Sequence, residues 1–354
     1  MGSVVPPVLA GAPPAARHYT VRRATAADRD RVIAFYERHF PQHTRLTRGR
    51  YWDWQFLDQP TADGQVPFFV LEDGGEVQGG IGYIGRQANV GGKPVNVRVP
   101  ICYFVADAYR GLPSLMLLRA VMADADVMLA SSFSEEAYKL VTKAGFKDVG
   151  GSLRYYWSSA RLTSANAFAA SRYLLKWAIR AWRRVRAFIT LRRLSYRTER
   201  SVAADMSAAC IAAPGEQRLV KTPDWLAWRY NASPLLEPRF VHQYDKGEPV
   251  GLAVINVAAA RRSVEILDLW WRDRGATRLA ALLEEVRRVA RRMDCDEVIS
   301  HAVGDGPGQA FARSLFSASP SPLGFLVMCR RKDLEPFALR MADWSVLVGD
   351  TDSV

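Results

Sequence analysis

The spacing of apolar and polar residues predicts a chain in which strands and helices alternate. Over residues 29–39 apolar side chains recur at intervals of three and four, which is typical of one buried helix face, and Thr25 is a suitable N-cap before it. Two apolar runs, 68–72 and 77–84, flank a Gly-rich turn and predict a β-hairpin. A strand over 19–22 precedes them, and a turn over 89–94 leads to a strand over 99–105.

Residues 100–118 combine a strand, a tight turn and a helix start. The apolar strand 101–105 runs into the turn 107–111 and then into an amphipathic helix over 113–122. The first N–H groups of a helix have no partner within the helix, so this geometry suits an anion such as phosphate. A strand over 126–131, a helix over 134–143 with Gly145 as its C-terminal cap, and a strand from Phe146 follow.

The pattern then repeats. The element Trp54-x-Phe56-x3-Pro60 returns as Trp228-x-Tyr230-x3-Pro234 with the same spacing. The apolar run from residue 67 and the pairs at 110–111 and 117–118 have counterparts near residues 238, 274–275 and 282–283, in the same order. This repeated order predicts two fused copies of one αβ unit.

Length and composition agree with a two-domain globular protein. The chain has 354 residues, about a quarter of them charged, and no apolar run approaches the roughly 20 residues that span a bilayer. Residues 1–18 are rich in Pro and Ala and predict a flexible leader. The four cysteines are scattered without a C-x-x-C pair, so we expect reduced residues in a cytoplasmic protein and no metal site.

The net charge of +12 comes mainly from one segment. Residues 161–200 contain eleven Lys and Arg residues against one acid, which leaves the rest of the chain near neutrality. Over 172–186 an apolar stripe containing Trp182 alternates with arginines, so residues Arg172 to Arg200 could lie on an anionic membrane surface. Packing of the helix on the protein with its charges solvated is the alternative. A nucleic-acid partner is the least favoured, since no RNA- or DNA-reading motif accompanies the charge.

Two segments resemble the GNAT superfamily of acyl-CoA-dependent N-acyltransferases. The run from Val105 to Leu118 is similar to the family's pyrophosphate segment, V-x-P-x-Y-R-G-x-G-x-G/A-x-x-L-L. The run from Ala137 to Phe146 is similar to the segment A-x-x-L-Y-x-K-x-G-F. The repeated Trp-x-[Phe/Tyr]-x3-Pro element resembles bacterial tandem GNAT proteins that are often found among cell-envelope and polysaccharide genes.

The resemblance implies an α/β fold of two fused GNAT-like domains, residues 19–158 and 202–332. A basic amphipathic helical insertion (159–201) joins them, and a tail (333–354) follows. It also implies that the pantetheine arm of acyl-CoA lies between residues 103–105 and 127–131. The residues that the resemblance assigns to acyl-CoA binding are Phe104, Val105, Arg110, Gly111, Leu112 and Ser114.

The sequence departs from the family pattern at three positions. Pro113 and Leu115 stand at two of the glycines, so one N–H donor is lost and bulk is added where the phosphate should approach. Val141 replaces the tyrosine that usually protonates the leaving thiolate. Tyr138, one helical turn earlier, is the candidate replacement. Glu135 is a candidate base, and Asp350 in the acidic tail is a third candidate catalytic residue.

The leading hypothesis is transfer of an acyl group, most simply acetyl, from acyl-CoA to a primary amine such as an amino sugar or a cell-envelope precursor. A Fem-like transferase that takes an aminoacyl group from tRNA is one alternative. A catalytically degenerate GNAT-fold scaffold at the membrane surface is another, for which Pro113, Leu115 and Val141 argue. We expect a cytoplasmic location, with peripheral attachment to the inner face of the membrane if the basic segment binds lipid.

Two further groups of residues are ambiguous. The tryptophan pairs Trp52/Trp54 and Trp225/Trp228 could form walls of an acceptor pocket, although packing in the core or between domains is the simpler interpretation. The five histidines show no pairing that indicates a catalytic triad or a metal-ligand set.

Overall fold

The computed structural model describes residues 18–60, 64–131, 134–158, 193–209, 217–272, 276–314, 316–340 and 344–347. The strands are β1 (Tyr19–Arg23), β2 (Phe68–Asp73), β3 (Glu76–Val90), β4 (Lys93–Val105), β5 (Val127–Ser131), β6 (Lys147–Ser158), β7 (Leu194–Glu199), β8 (Gln217–Arg218), β9 (Pro238–Asp245), β10 (Glu248–Ala258), β11 (Ser263–Trp271), β12 (Glu297–Val303), β13 (Ser317–Cys329) and β14 (Trp344–Leu347).

The α-helices are α1 (Arg29–His39), α2 (Gly49–Trp52), α3 (Leu112–Met122), α4 (Glu135–Lys143), α5 (Ala204–Ala209), α6 (Pro223–Leu226), α7 (Ala276–Arg292), α8 (Asp305–Arg313) and α9 (Glu335–Ala338). Two π-helices, Asp53–Leu57 and Ala227–Asn231, continue α2 and α6. Within the described residues, no helix combines the length and the apolar character that crossing a membrane requires.

The local pattern predicts the first part of the chain well. Helix α1 covers the expected residues, and the expected hairpin forms as β2 and β3. Strand β3 continues past the predicted end to Val90, because the chain reverses only at Gly91 and Gly92, which both adopt positive φ. The predicted strand 99–105 is the second part of β4, and α3, β5, α4 and β6 begin within one residue of their predicted starts.

One continuous sheet joins the two ends of the chain. Its strands follow the order β1-β2-β3-β4-β5-β13-β6-β12-β11-β10-β9-β7. Strand β13 pairs with β5 on one edge and with β6 on the other, and β6 pairs in turn with β12. A strand from near the C-terminus therefore separates β5 from β6, and the N-terminal part of the sheet is incomplete without it.

Strand β7 corrects one prediction. It pairs with β9 at the edge of the sheet, although residues 194–199 were expected to belong to the helical insertion. Tyr196 and Thr198 favour extended backbone, and the edge of β9 offers partners for it. The rest of the insertion up to residue 192 lies outside the described residues, as do the leader through residue 17 and Asp350.

The four tryptophans in and just before the repeated motif lie in the core. Trp52, Trp54, Trp225 and Trp228 are each at most 5% exposed, and the rings of Trp54 and Trp228 stack with their centroids 5.3 Å apart. The two π-helices carry this stacked pair, so the residues at which the sequence repeats contact each other directly. Burial of all four indole rings supports packing as their role.

Candidate active site

Strands β4 and β5 separate at one end. They pair in parallel only at Val97 with Val127 and at Arg98 with Met128, although β4 continues to Val105 and β5 to Ser131. The other edge of β4 remains paired with β3 as far as Val105, which lies opposite Gly79. Beyond residue 98 the free edge of β4 thus faces a gap, in the region where the family resemblance places the pantetheine arm.

A β-bulge lies in β4 beside this gap. Two residues, Cys102 and Tyr103, stand opposite the single residue Ile81, and Cys102 has a φ of +50°. A positive φ is uncommon outside glycine and must be held by its surroundings. The Tyr36 hydroxyl donates a hydrogen bond to the Cys102 carbonyl at 3.0 Å, and the Tyr51 hydroxyl lies 3.9 Å from the Cys102 Sγ. Both tyrosines are buried, so their hydroxyls, one from α1 and one from α2, hold the bulge.

The turn after β4 places the start of α3 beside the gap. Gly111 is the N-cap with a φ of +93°, a conformation that side chains other than glycine rarely adopt. The buried Ser114 hydroxyl donates to the Gly111 carbonyl at 2.8 Å. Pro113 has no N–H, which leaves those of Leu112 and Ser114 as first-turn donors without intrahelical partners.

One of the two glycine replacements is accommodated differently from what the sequence suggests. Leu115, which was expected to crowd the phosphate, is partly buried and packs against the hydrophobic core. Leu112 instead lies exposed at the helix start, with 61% of its surface accessible. The turn therefore presents backbone and an exposed apolar side chain, and the bulk of Leu115 is directed into the protein.

Contacts at both ends hold α3 in place. The Tyr103 hydroxyl donates to the Ser114 carbonyl at 2.6 Å, and burial raises the pKa of this phenol to about 12, so it remains a donor. At the C-terminal end, Arg98 and Arg330 donate to the carbonyls of Val121 and Met122 at 2.7 and 2.9 Å. Cations at a helix C-terminus complement its dipole.

Arg110 lies on the surface near α4. Its guanidinium is paired with Asp107 at 2.8 Å, and both side chains are largely exposed. The pKa of the Glu136 carboxyl is lowered, first by the backbone N–H of Glu136 and by Ser134, with smaller contributions from Lys139 and Arg110. Arg110 therefore lies close to the N-terminus of α4, and replacement of its weak surface pair by a phosphate would cost little.

Glu135 and Tyr138, the two predicted catalytic residues in the described part of the chain, form their hydrogen bonds with residues of α4 and β6 and not with the bulge. Glu135 accepts from Lys139 at 2.6 Å on the exposed side of α4. The Tyr138 hydroxyl donates to Asp148 on β6 at 2.9 Å, which raises the pKa of the phenol. Val141 is buried in the core. Asp350 lies outside the described residues.

Aromatic side chains surround Phe104 on the side of α1. The ring of Phe104 lies 4.9 Å from both Phe40 and His43 and 5.5 Å from Tyr36. Phe104, expected to bind the cofactor, thus turns its side chain toward α1, while its neighbour Tyr103 contacts α3. Sequence reasoning missed Tyr36, Tyr51 and His43, because no local motif connects them with β4.

The corresponding gap in the C-terminal part of the sheet is filled. Strands β11 and β12 pair from Ser263 with Glu297 to Ile266 with Ser300 and then separate. Beyond this point β14 pairs with β12. Strand β6 occupies one edge of β12, so β14 occupies the edge at which the pairing with β11 has ended. The side chains of Trp344, Val346 and Leu347 are buried there. In the described part of the chain, no strand fills the β4–β5 gap in this way.

A buried ion pair lies near this second gap. Lys221 donates to Asp268, and the Tyr230 hydroxyl donates to the other carboxylate oxygen at 2.8 Å. Asp268 follows the bulge in β11, just as Phe104 follows the bulge in β4. This buried ion pair is a further difference between the gap at β11 and β12 and the gap at β4 and β5.

Among the solved structures with a similar fold, two are described as N-acetyltransferases and one as a probable N-acyltransferase. A GCN5-related N-acetyltransferase from Anabaena variabilis aligns over 88% of this chain and 73% of its own, with 13% identity and a TM-score of 0.59. A conserved protein of unknown function from Enterococcus faecalis gives the same TM-score at 12% identity, covering 88% of this chain and 72% of that one. A GCN5-related N-acetyltransferase from Kribbella flavida reaches 0.55 at 15% identity over 88% and 71%.

The chain has the GCN5-related N-acetyltransferase (GNAT) fold. At this level of identity the likeness concerns the fold alone. No protein-family model matches the sequence, and no curated protein does. Among the described residues, no group of three or more His, Cys, Asp and Glu side chains is placed to hold a metal ion.

Proposed function

We propose that the protein is an N-acyltransferase that moves an acyl group, most simply acetyl, from acyl-CoA to a primary amine. The observation that carries this proposal is the divergence of β4 and β5 directly beside the N-terminus of α3. The free edge of β4 can hydrogen-bond the amides of a pantetheine arm as a neighbouring strand would. The GNAT fold of the solved structures supports the same assignment.

The turn from Arg110 to Ser114 is the proposed site for the CoA pyrophosphate. Gly111 lets the backbone approach the anion, the N–H groups of Leu112 and Ser114 donate to it, and the positive end of the α3 dipole adds to the attraction. Arg110 supplies an exposed cation. Pro113 removes one donor, so we expect weaker binding than at a turn that offers every N–H.

The chemistry needs no enzyme nucleophile. The neutral amine attacks the thioester carbonyl carbon, the C–N bond forms, the C–S bond breaks, and the thiolate leaves and takes up a proton. Backbone N–H groups at the Cys102–Tyr103 bulge are our candidates to stabilise the oxyanion. The proton lost by the amine must leave on the α1 side, where His43 lies against Phe104.

We also propose that the chain contains two copies of one GNAT-like unit, residues 19–158 and 202–332, of which only the first binds acyl-CoA. Each unit has a π-helix, a bulged strand and a diverging pair of parallel strands in the same order. The gap of the second unit is filled by β14, which follows that unit in the chain, so we assign the second unit a structural role. An amino sugar or cell-envelope precursor remains the acceptor suggested by the family resemblance.

Isothermal titration with acetyl-CoA, together with a thiol-release assay over a panel of amines, tests the proposal. Arg110→Ala combined with Ser114→Ala should weaken acetyl-CoA binding at least tenfold. Arg119→Ala is the matched control, because Arg119 is an exposed arginine on the same helix, two turns away from the gap. The proposal fails if acetyl-CoA and longer acyl-CoAs do not bind the wild-type protein, or if both variants bind alike.

A scaffold that binds acyl-CoA without catalysis is the second candidate. Val141 is buried at the position where the family has the tyrosine that protonates the thiolate. The hydroxyl of Tyr138 already donates a hydrogen bond to Asp148. Acetyl-CoA binding without thiol release for any amine would support this candidate over the transferase.

A further inference from the structure

The side chain of Tyr103 joins two parts of the proposed acyl-CoA site. Its backbone forms the bulge of β4 together with Cys102, opposite Ile81. Its hydroxyl donates a hydrogen bond at 2.6 Å to the carbonyl of Ser114, in the first turn of α3. The turn from Arg110 to Ser114, called the phosphate turn below, is therefore connected directly to the backbone that we assign to the oxyanion.

The link through Tyr103 is short and stiff. A tyrosine side chain has only two rotatable bonds, and this one is half-buried and packs against the hydrophobic core. Because burial raises its pKa to about 12, the phenol keeps its proton near neutral pH and remains a donor. A displacement of the Ser114 carbonyl must therefore move the ring of Tyr103 or break the hydrogen bond.

Ser114 is the residue of the phosphate turn at which several interactions meet. Its N–H is a proposed donor to the pyrophosphate, and its hydroxyl donates to the Gly111 carbonyl at 2.8 Å. Its own carbonyl accepts from Tyr103. An anion that attracts the N–H groups of the first turn would thus act on the same residue that Tyr103 contacts.

Other contacts hold the bulge and α3 at their far sides. On the α1 side the Tyr36 hydroxyl donates to the Cys102 carbonyl at 3.0 Å. At the C-terminal end of α3, Arg98 and Arg330 donate to backbone carbonyls. Tyr103 joins the near sides of these two anchored parts, so a shift of the first turn of α3 is passed to the bulge.

We propose that Tyr103 is a positioning residue that transmits occupation of the phosphate turn to the bulge, so that efficient transfer requires a donor with the phosphates of CoA. Binding energy from parts of a substrate that do not react can position the reacting groups, and truncated substrates then lose kcat as well as affinity. A misplacement of about 1 Å can cost on the order of a hundredfold in rate. This inference rests on the proposed function, and it specifies how that site distinguishes between donors.

Hydrogen exchange at the bulge tests the link without any reaction. The probe is 3′-phospho-ADP, the half of CoA that carries the phosphates but has no pantetheine arm. We expect saturating probe to slow amide exchange in residues 101–105 of the wild type by about threefold or more. Tyr103→Phe should bind the probe with unchanged affinity and should lose this slowing. Equal slowing in both proteins would overturn the inference, as would failure of the probe to bind the wild type.

Tyr36→Phe is the matched control, because it also removes one tyrosine hydroxyl from the bulge, on the opposite face of the sheet. We expect its bulge to exchange faster without ligand and to show the same slowing by 3′-phospho-ADP as the wild type. Loss of the response in both variants would indicate a general loosening of the bulge and would contradict a specific role of Tyr103.

Two donors extend the test to catalysis. Thiol release is measured with acetyl-CoA and with S-acetylpantetheine, which has the same thioester without the phosphates, using the amine of the panel that reacts fastest. We expect the wild-type kcat to be about tenfold or more higher with acetyl-CoA. In Tyr103→Phe, kcat should fall for acetyl-CoA and stay unchanged for S-acetylpantetheine, whereas Tyr36→Phe should lower both alike.

The outcomes separate this inference from the proposed function. An equal fall for both donors in Tyr103→Phe would assign the residue a structural role only and would overturn the inference, while the transferase proposal would stand. If no amine is acylated, the transferase proposal fails. The exchange experiment with 3′-phospho-ADP still decides in that case whether Tyr103 connects the phosphate turn to the bulge.

Discussion

Trp54 and Trp228 each donate the indole N–H to the backbone carbonyl of the other, at 2.8 and 2.6 Å. The two residues are 174 positions apart in the chain, and their stacked rings lie only 20° from parallel. This reciprocal arrangement joins the two π-helices through buried hydrogen bonds. Because each residue supplies both a donor and an acceptor, neither polar group is left unpaired in the core.

Replacing either indole should destabilise the protein. Trp54→Phe leaves the Trp228 carbonyl without its donor, and Trp228→Phe does the same to Trp54, so each should lower the free energy of unfolding by about 1–3 kcal/mol. Urea denaturation measures this change. The double variant should lose less than the sum, since the two bonds belong to one stacked pair. Additive losses would show that the two tryptophans act independently.

Gly111 should matter for acyl-CoA more than for stability. A Cβ at this position would meet no atom within 4 Å, so Gly111→Ala introduces backbone strain alone, of order 1–3 kcal/mol. We expect acetyl-CoA binding to weaken as the turn shifts. Gly74→Ala is the matched control, because Gly74 also has a positive φ and open surroundings but lies in the β2–β3 turn. Equal acetyl-CoA affinities in the two variants would contradict the assigned role of Gly111.

Tyr36 should act by holding the bulge. Tyr36→Phe keeps the ring packed on Phe104 and removes only the hydrogen bond to the Cys102 carbonyl. If the bulge supplies the oxyanion donors, we expect kcat to fall about tenfold while the affinity for acetyl-CoA stays the same. Thiol-release kinetics and calorimetry together make this distinction. A loss of acetyl-CoA affinity with unchanged kcat would assign Tyr36 to binding.

The sequence predicts those parts of the site that depend on local spacing. The turn at Gly111 and the start of α3 follow from a strand, a turn signal and a helical period within 20 residues. The gap follows from the family resemblance. The position of β13 between β5 and β6 joins residues almost 200 positions apart, and no periodicity records such a pairing.

Other features depend on surroundings that the sequence does not show. Cys102 adopts a positive φ because buried tyrosine hydroxyls from α1 and α2 hold the bulge. Leu115 appears unfavourable in an alignment with a glycine motif, yet its side chain points into the core. Filling of the second gap by β14 also depends on tertiary packing, since a short apolar run near a terminus has no preferred partner.

His242 should make the protein less stable in mild acid. The ring is fully buried, and its Nε2 accepts from the Ala203 N–H at 3.1 Å, so the neutral form is bound. Burial lowers the pKa of His242 from 6.5, and the nearby Arg197 lowers it further, against the opposing effect of Glu199 and Asp205. Its contribution is therefore complete above pH 6.5 and is lost as the pH falls below it, by at most about 1.4 kcal/mol per pH unit.

Urea unfolding at a series of pH values below 6.5 checks this expectation. His242→Gln retains a side chain that can accept the Ala203 hydrogen bond but does not titrate. The variant should be less stable than the wild type near neutral pH and should show a smaller loss on acidification. Parallel curves for the two proteins would show that another group causes the acid dependence.

The basic segment should bind anionic membranes if its amphipathic pattern serves that purpose. Deletion of residues 162–200 is unsuitable as a test, because it would remove β7 from the sheet. Gln substitutions at Arg180, Arg183 and Arg184 keep the apolar stripe and remove three charges. The loss should amount to about 1 kcal/mol of binding free energy per charge near the surface, measured by co-sedimentation with phosphatidylserine-containing vesicles. Matched substitutions at Arg38, Arg48 and Arg50 remove the same number of charges from residues 38–50, outside the basic segment. Equal losses in both triple variants would indicate a response to net charge alone and would contradict a membrane-binding role for the segment.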